Sequence, residues 1–192
     1  MNKERLKNKL DIGYYDNILT PQECNYIIQS EDDMKWKHFS YDKGGDKTEG
    51  TGSVNQTVSK SWITENHFLY DNVKSAFVKV TDLYSVDFPL LRYTETYEKY
   101  TNFRINKYTE GGFMTSHVDN IRKSHGQEYG FPQVSILLYI NDDYEGGEFK
   151  IIDKVLKPKE GSAIIFPSNF MFPHESGEII KGKKWSIVSW LM

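Results

Sequence analysis

The sequence predicts an α+β fold that is mainly β, with helices in its N-terminal part and short strands through its C-terminal half. Three observations carry this reading. Apolar residues recur at helical spacing only early in the chain, at Leu69, Val73, Phe77, Val80 and Tyr84. From Leu90 onward, short period-two runs replace them, separated by the glycine pairs Gly111-Gly112 and Gly146-Gly147. Aromatics make up 15% of the residues, with 13 Tyr and 11 Phe, and such side chains suit pleated, half-buried surfaces. Several short strands with turn signals between them predict a sandwich or barrel, with the helices packed against one sheet.

In chain order, a polar lead-in over residues 1–19 ends in a short strand near Asp11–Tyr15. Thr20, Pro21 and Glu23 then form a helix start: a cap, a proline suited to the first turn and the acid of a capping box. Cys24, Ile27 and Ile28 give this helix a core-facing stripe through about Ser30. Cys24 reads as a small core residue, since no electropositive neighbour is evident. Residues 42–60, DKGGDKTEGTGSVNQTVSK, read as a mobile loop, either a solvated excursion or a lid over a site. A second helix spans about Glu65–Ser85, with His67 near its start as an exposed or capping residue. RYTETY and FRINKY are expected strands joined by a turn near Glu98–Thr101. Asn120–Gly130 is loop-like. Val134–Ile140 is apolar on both faces, as in a strand covered on both sides. Glu148–Ile152, Ala163–Phe166 and Trp185–Leu191 complete the expected strands.

Composition narrows the function. A length of 192 residues suits one domain with a sizeable core. A net charge of −3, with neither half strongly basic, argues against a non-specific nucleic-acid binder. One cysteine excludes an internal disulfide framework and a cysteine-rich zinc site, and fits a reducing compartment. The N-terminus lacks the apolar core of a signal peptide, and no run of 18 apolar residues occurs. A soluble cytoplasmic protein with no membrane or nucleic-acid partner is therefore expected.

The chemistry centres on FMTSHVD. In a strand, His117 and Asp119 would share a face and offer two ligands to a divalent metal. His174, in FPSNFMFPHESG, is the best candidate for a third. Two histidines and one carboxylate on one triangular face leave three metal positions open, as in non-haem Fe(II) oxygenases. Ten residues beyond His174, Lys184 would share a strand face with Ser186, Val188 and Trp190, where it could bind a carboxylate of a small acid. Lys183 would point the other way, and Lys181 precedes the Gly182 turn.

With these residues in place, residues 103–192 resemble the catalytic core of the 2-oxoglutarate- and Fe(II)-dependent dioxygenases, in their prolyl 4-hydroxylase-like branch. The motifs are FRINKYTEGGFMTSHVD, VSILLYINDDYEGGEF, PKEGSAIIFPSNFMFPHES and KGKKWSIVSW, in the family's order and spacing. The resemblance implies a double-stranded β-helix, or jelly roll: residues 90–192 as catalytic core, residues 1–89 as helical support and substrate-side loop, all in one domain. It makes His117, Asp119 and His174 the iron ligands and pairs Lys184 with the distal carboxylate of 2-oxoglutarate. Tyr108 falls on a tyrosine contacting the same cosubstrate, and Ser135 on a position near that carboxylate. Tyr139 and Trp190 fall on aromatic positions lining the pocket, where ordinary core packing is the competing reading.

The implied cofactors are Fe(II), 2-oxoglutarate and O2, with ascorbate a candidate reductant. The implied reaction is hydroxylation of a peptidyl residue such as proline, coupled to decarboxylation of 2-oxoglutarate to succinate and CO2. Asp119 favours hydroxylation over halogenation, since related halogenases lack that carboxylate. The sequence departs from the family where prolyl 4-hydroxylases carry Arg-x-Ser: SVNQTVSKSWI has no arginine. A free amino acid or small metabolite as substrate thus stays open, as does a jelly-roll module that holds metal without turnover. Lys184 speaks for the enzyme, because a metal-binding module has no use for a buried lysine facing the metal.

Overall fold

The structure, a computed structural model, describes residues 11–38, 58–89, 91, 99–120 and 131–192. The expected RYTETY strand, nearly all of the Asn120–Gly130 loop and the candidate lid over 42–57 lie outside these residues.

Two helices form where the sequence places them. Helix α1 (Pro21–Gln29) starts at Thr20, whose hydroxyl accepts from Glu23 N while the Glu23 carboxylate accepts from Thr20 N at 2.7 Å. That reciprocal pair satisfies two backbone donors that a helix start leaves free. Burial at the helix base pushes the Cys24 thiol up to about 12, so it stays protonated and acts as a small apolar side chain. Helix α2 (Tyr70–Asp87) starts five residues later than expected and buries Val73, Phe77, Val80 and Tyr84. Just before it, His67 Nδ1 accepts from Leu69 N at 3.2 Å, and no side chain caps the helix start.

Thirteen strands follow the described chain. They are β1 (Gly13–Tyr15), β2 (Lys37–His38), β3 (Val58–Ile63), β4 (Phe103–Tyr108), β5 (Met114–His117), β6 (Val134–Tyr139), β7 (Glu145–Gly146), β8 (Phe149–Ile151), β9 (Lys154–Leu156), β10 (Ala163–Pro167), β11 (His174–Ser176), β12 (Ile179–Lys181) and β13 (Lys184–Leu191). A seven-stranded antiparallel sheet runs β1-β10-β6-β13-β4-β3-β2, a four-stranded sheet runs β5-β11-β8-β9, and β12 pairs with β7. Residues 58–60, read as part of a loop, are the first half of β3 instead. Their Ser and Lys side chains hid a strand that pairs with β4 over its whole length. The N-terminal part is thus more than helical support, since it supplies three strands to the large sheet.

Alternation gives the large sheet two chemical faces. Phe103 and Ile105, Ile136 and Leu138, Ala163 and Ile165, and Trp185 and Ile187 join the helices in one core. Phe77 sits at its centre, with its ring 4.8 Å from that of Phe103. The opposite face carries Arg104, Asn106 and Tyr108 from β4, Ser135, Leu137 and Tyr139 from β6, and Lys184, Ser186, Val188 and Trp190 from β13. This second, partly polar face looks toward the four-stranded sheet. The core therefore lies between sheet and helices, and the polar side chains gather between the sheets.

Truncating Phe77 to Ala should destabilise the protein by about 3–5 kcal/mol, since a wholly buried ring leaves a cavity the sheet cannot close. Val86→Ala, at a position 79% exposed on the same helix, should stay within about 0.5 kcal/mol of the parent. Urea unfolding of both variants checks the contrast.

Candidate active site

His117 ends β5 and His174 begins β11, and the two are direct partners in the ladder between these strands. Asp119 differs from expectation. The strand stops at His117, so Asp119 reaches the site from a bend and not by strand alternation. The three side chains converge nonetheless, with one ligand atom from each lying within 4.8 Å of the others.

Hydrogen bonding fixes how the rings face. His117 Nδ1 lies 2.8 Å from Thr115 O, and His174 Nδ1 lies 3.1 Å from Phe172 O. A carbonyl only accepts, so each Nδ1 carries a proton and each ring turns its Nε2 inward. His117 Nε2 lies 3.6 Å from Asp119 Oδ1, and His174 Nε2 lies 3.6 Å from Asp119 Oδ2. Burial, with His174 alongside, pushes His117 down to about 4, which leaves it neutral at neutral pH. Burial works to raise Asp119, but the neighbouring His174 and His117 rings and the Ser135 hydroxyl outweigh it and hold the carboxyl at about 2. Two imidazole nitrogens and a carboxylate thus face one another in a buried space. This arrangement fits a divalent cation, and a nitrogen and oxygen donor set with one negative charge fits Fe(II).

Asp119 is held from behind. Ser135 Oγ donates to Asp119 Oδ2 at 2.6 Å and lies 2.8 Å from Ser168 Oγ. Since the Ser135 proton goes to the carboxylate, Ser168 donates to Ser135. Ser135 was expected near a distal carboxylate of the cosubstrate. The structure places its one proton on Asp119 instead, and Ser135 does not line the cleft beside the metal ligands. Its strand position was legible, but the partner that claims its hydroxyl was not.

That cleft, an open space of about 440 Å³, is lined by His117, Asp119 and His174 and by Tyr108, Tyr139, Lys184 and Trp190. Lys184 is 2% exposed. Its Nζ donates to Gly147 O at 2.6 Å and to Ser176 Oγ at 2.8 Å, and lies 5.3, 5.5 and 5.8 Å from the ring centres of Tyr108, Tyr139 and Tyr144. Gly147 adopts a left-handed φ of 67°, and an added Cβ would lie 2.4 Å from Ile179 Cδ1. Only glycine therefore delivers that carbonyl without strain. Burial drives Lys184 down to about 7, against the opposing pull of Glu148. The buried hydroxyls of Tyr139 and Tyr144 have no hydrogen-bond partner among the described residues. An ammonium and two hydroxyl groups in an aromatic box suit a carboxylate. Lys183, by contrast, is exposed and precedes the strand.

Four contributors escaped the sequence reading. Tyr144 and Ser176 approach Lys184 from the bend before β7 and from β11, and their signals were too short to read. Arg104 and Asn106 alternate with Tyr108 in FRINKY, so their common face was available once Tyr108 had been placed.

Ser135→Ala should weaken metal binding about 10–100-fold, the usual effect of removing a hydrogen bond behind a ligand. Ser168→Ala, one bond further out, should weaken it less. Anaerobic titration with Mn(II) measures both.

Comparison with known proteins agrees with this geometry. Residues 103–192 match the model of the 2OG-Fe(II) oxygenase superfamily. Over 69 residues, the chain is 41% identical to human prolyl 3-hydroxylase 2 and 38% identical to the rat protein, covering 32% of this chain. It spans about a tenth of the length of these relatives. A Pseudomonas putida prolyl-4-hydroxylase superposes with a TM-score of 0.68 at 15% identity, covering 98% of this chain and 95% of that one. A viral collagen prolyl hydroxylase from Paramecium bursaria Chlorella virus-1, in a 2OG complex, gives 0.67 at 16% identity and covers 96% of each chain. A Trichoplax adhaerens prolyl hydroxylase, in complex with a hypoxia inducible factor peptide fragment, gives 0.67 at 18%, covering 98% and 86%. These likenesses identify the paired sheets as the jelly roll of that fold. Through residues 103–192 the chain is similar to the 2OG-Fe(II) oxygenase superfamily, and it shares its fold with the prolyl hydroxylases.

Proposed function

We propose that the protein is a 2-oxoglutarate- and Fe(II)-dependent oxygenase that hydroxylates a peptidyl residue, with proline as the leading candidate. The observation that carries the proposal is the pairing of two buried sites in one cleft. One is a cluster of metal-ligating acceptors; the other is a lysine box with no acidic side chain among its hydrogen-bonded partners. A metal-holding module would need only the first. With both filled, bound Fe(II) together with 2-oxoglutarate and O2 supplies the oxidation of an unactivated C–H bond and releases succinate and CO2.

The chain's own residues supply the rest. His117, Asp119 and His174 hold the metal, and Ser135 and Ser168 orient the carboxylate ligand. Lys184 takes the far carboxylate of 2-oxoglutarate, with the Tyr139 and Tyr144 hydroxyls free to donate to it. Tyr108 and Tyr139 wall that end off from water. Trp190 and Arg104 line the cleft at its other end, where a substrate would enter. The peptide reading draws on the prolyl 3-hydroxylase stretch and on the relative crystallised with a peptide. The test is turnover of a proline-containing peptide library with Fe(II), 2-oxoglutarate and ascorbate, read as succinate released and as one oxygen added in the mass spectrum. Succinate without an oxidised peptide would move the substrate to a small molecule. No succinate with any substrate would favour the metal-holding module.

Lys184→Ala should raise the KM for 2-oxoglutarate by an amount worth about 2–5 kcal/mol, because the cosubstrate carboxylate loses its desolvated partner. Lys183→Ala should leave it nearly unchanged. Succinate assays with metal content measured alongside separate this effect from loss of iron.

The pH dependence has a definite sign. Burial holds Lys184 near 7 in the ligand-free protein, below its ordinary 10.5. Above about pH 7 the amine is therefore neutral, and binding a carboxylate must take up a proton. The KM for 2-oxoglutarate should rise with pH above 7, by up to about tenfold per unit, and Lys184→Arg should flatten the rise. The fold responds in the opposite sense. A charged buried lysine burdens the ligand-free protein below pH 7, and the burden fades as pH climbs toward 10.5. Kinetics and thermal melts across pH 6–9 read the two trends.

A further inference from the structure

An oxygenase without substrate still needs something to oxidise, and the chain carries a candidate in its own cleft. His174 and His117 are partners in the ladder between β11 and β5, and the next rung pairs Ser176 with Met114. The two rungs are two residues apart on β11 but three apart on β5, and the register shifts between them. Simple alternation would send Met114 and His117 to opposite faces. The extra residue on β5 cancels that, as a bulge does, and both side chains line the cleft.

Met114 thereby sits between the two halves of the site. Its rung adjoins the histidine rung, and its partner Ser176 accepts from Lys184 Nζ at 2.8 Å. It packs in one buried cluster with Val58, Tyr108, Tyr144 and Ile179, so two of its neighbours are tyrosines of the lysine box. A keto acid reaching from Lys184 to the metal ligands would run alongside it. Among the described methionines, Met114 alone lines the cleft. Its sulfur takes up an oxygen atom on a lone pair, whereas Tyr108, Tyr139, Phe149 and Trp190 must disturb an aromatic ring to do the same. Exposure separates two routes to oxidation. Met114 is 6% exposed and Met171 is 60% exposed. An oxidant arriving from solvent meets Met171 first; one generated in the cleft meets Met114 first.

We infer that Met114 is the internal oxygen acceptor when no substrate fills the cleft, and that its sulfoxide shuts turnover down. The inference rests on the oxygenase reading. In the step, the bond between the keto and adjoining carboxyl carbons of 2-oxoglutarate breaks, releasing CO2 and supplying two electrons. The sulfur lone pair supplies the other two that reduce O2. One oxygen atom enters succinate and the other forms the S–O bond, with no proton consumed or released. The product places a polar oxygen in the cluster of Val58, Tyr108, Tyr144 and Ile179, where it is costly to bury. The wall of the lysine box is thus displaced and 2-oxoglutarate binding weakens. Idle turnover limits itself, and reduction of the sulfoxide reverses the block.

The test incubates the full chain with Fe(II), 2-oxoglutarate and isotopically labelled O2 without any substrate, then maps methionine oxidation by peptide mass. We expect about one labelled oxygen per inactivated chain, on Met114, with Met34, Met171 and Met192 no more oxidised than in a sample lacking 2-oxoglutarate. Hydrogen peroxide added to the metal-free chain should reverse the order and mark Met171 first. The visible band formed by anaerobic Fe(II) and 2-oxoglutarate should fall in the inactivated protein and return after treatment with a methionine sulfoxide reductase. Met114→Leu, a volume-conserving change, should slow the inactivation, while Met171→Leu should not. Succinate release with label on an aromatic residue, with Met171 marked before Met114, or with no label on the protein sinks this inference alone. So does peroxide that marks Met114 first, or a labelled Met114 that leaves the visible band undiminished. No succinate and no label under any condition overturns the oxygenase reading and this inference with it.

Discussion

Two imidazoles and a carboxylate converging in one buried space are the constraint on which the site depends. Each imidazole sets its Nδ1 against a backbone carbonyl two residues earlier, which turns both Nε2 atoms toward the carboxylate. In water such a cluster would rotate apart. Here it cannot, because the rings are fixed by the ladder joining β5 and β11, and Asp119 is fixed by two serines in series. The fold thus holds three potential ligands in place, ready to share one cation. Metal affinity is therefore built into backbone pairing as much as into the choice of ligands.

The two faces of the large sheet divide the labour. Phe77 and the strand residues beneath it make an apolar layer that holds the sheet in place, and that layer contains none of the site's chemistry. The other face supplies polar side chains that would be expensive to bury alone. Lys184 shows the balance. Two acceptors offset part of its desolvation, yet its proton affinity remains depressed, so its environment is completed only by an anion. Stability and ligand recognition are thus carried by opposite sides of the same strands.

Much of this was legible in the sequence, for physical reasons that differ by element. Helix α1 was readable because a capping box is a local interaction, and α2 because its buried stripe repeats over five turns. His117, Asp119, His174 and Lys184 were readable together because their spacing and strand-rich setting are unusual. Asp119 was placed correctly by the wrong geometry, since the bend that follows β5 is set by Asn120 and Ser168, far apart in sequence. Strand β3 was hidden because its half-buried Ser59 and Lys60 continue a Gly-, Ser- and Lys-rich stretch and read as loop. The role of Ser135 depended on whether Asp119 or a ligand took its proton, which is a question of three-dimensional distance.

Both margins of the large sheet come from the chain before residue 103. Strand β1 closes one side against β10, and β3 with β2 closes the other against β4. The stretch that matches the oxygenase family model, residues 103–192, is therefore flanked by its own N-terminal neighbours on left and right. Cut free at that boundary, it would present two unpaired strand edges and an uncovered apolar face, a surface that invites self-association. Sequence similarity and cooperative folding mark different boundaries in this protein, and residues 103–192 excised alone would behave as an aggregating fragment and not as a smaller domain.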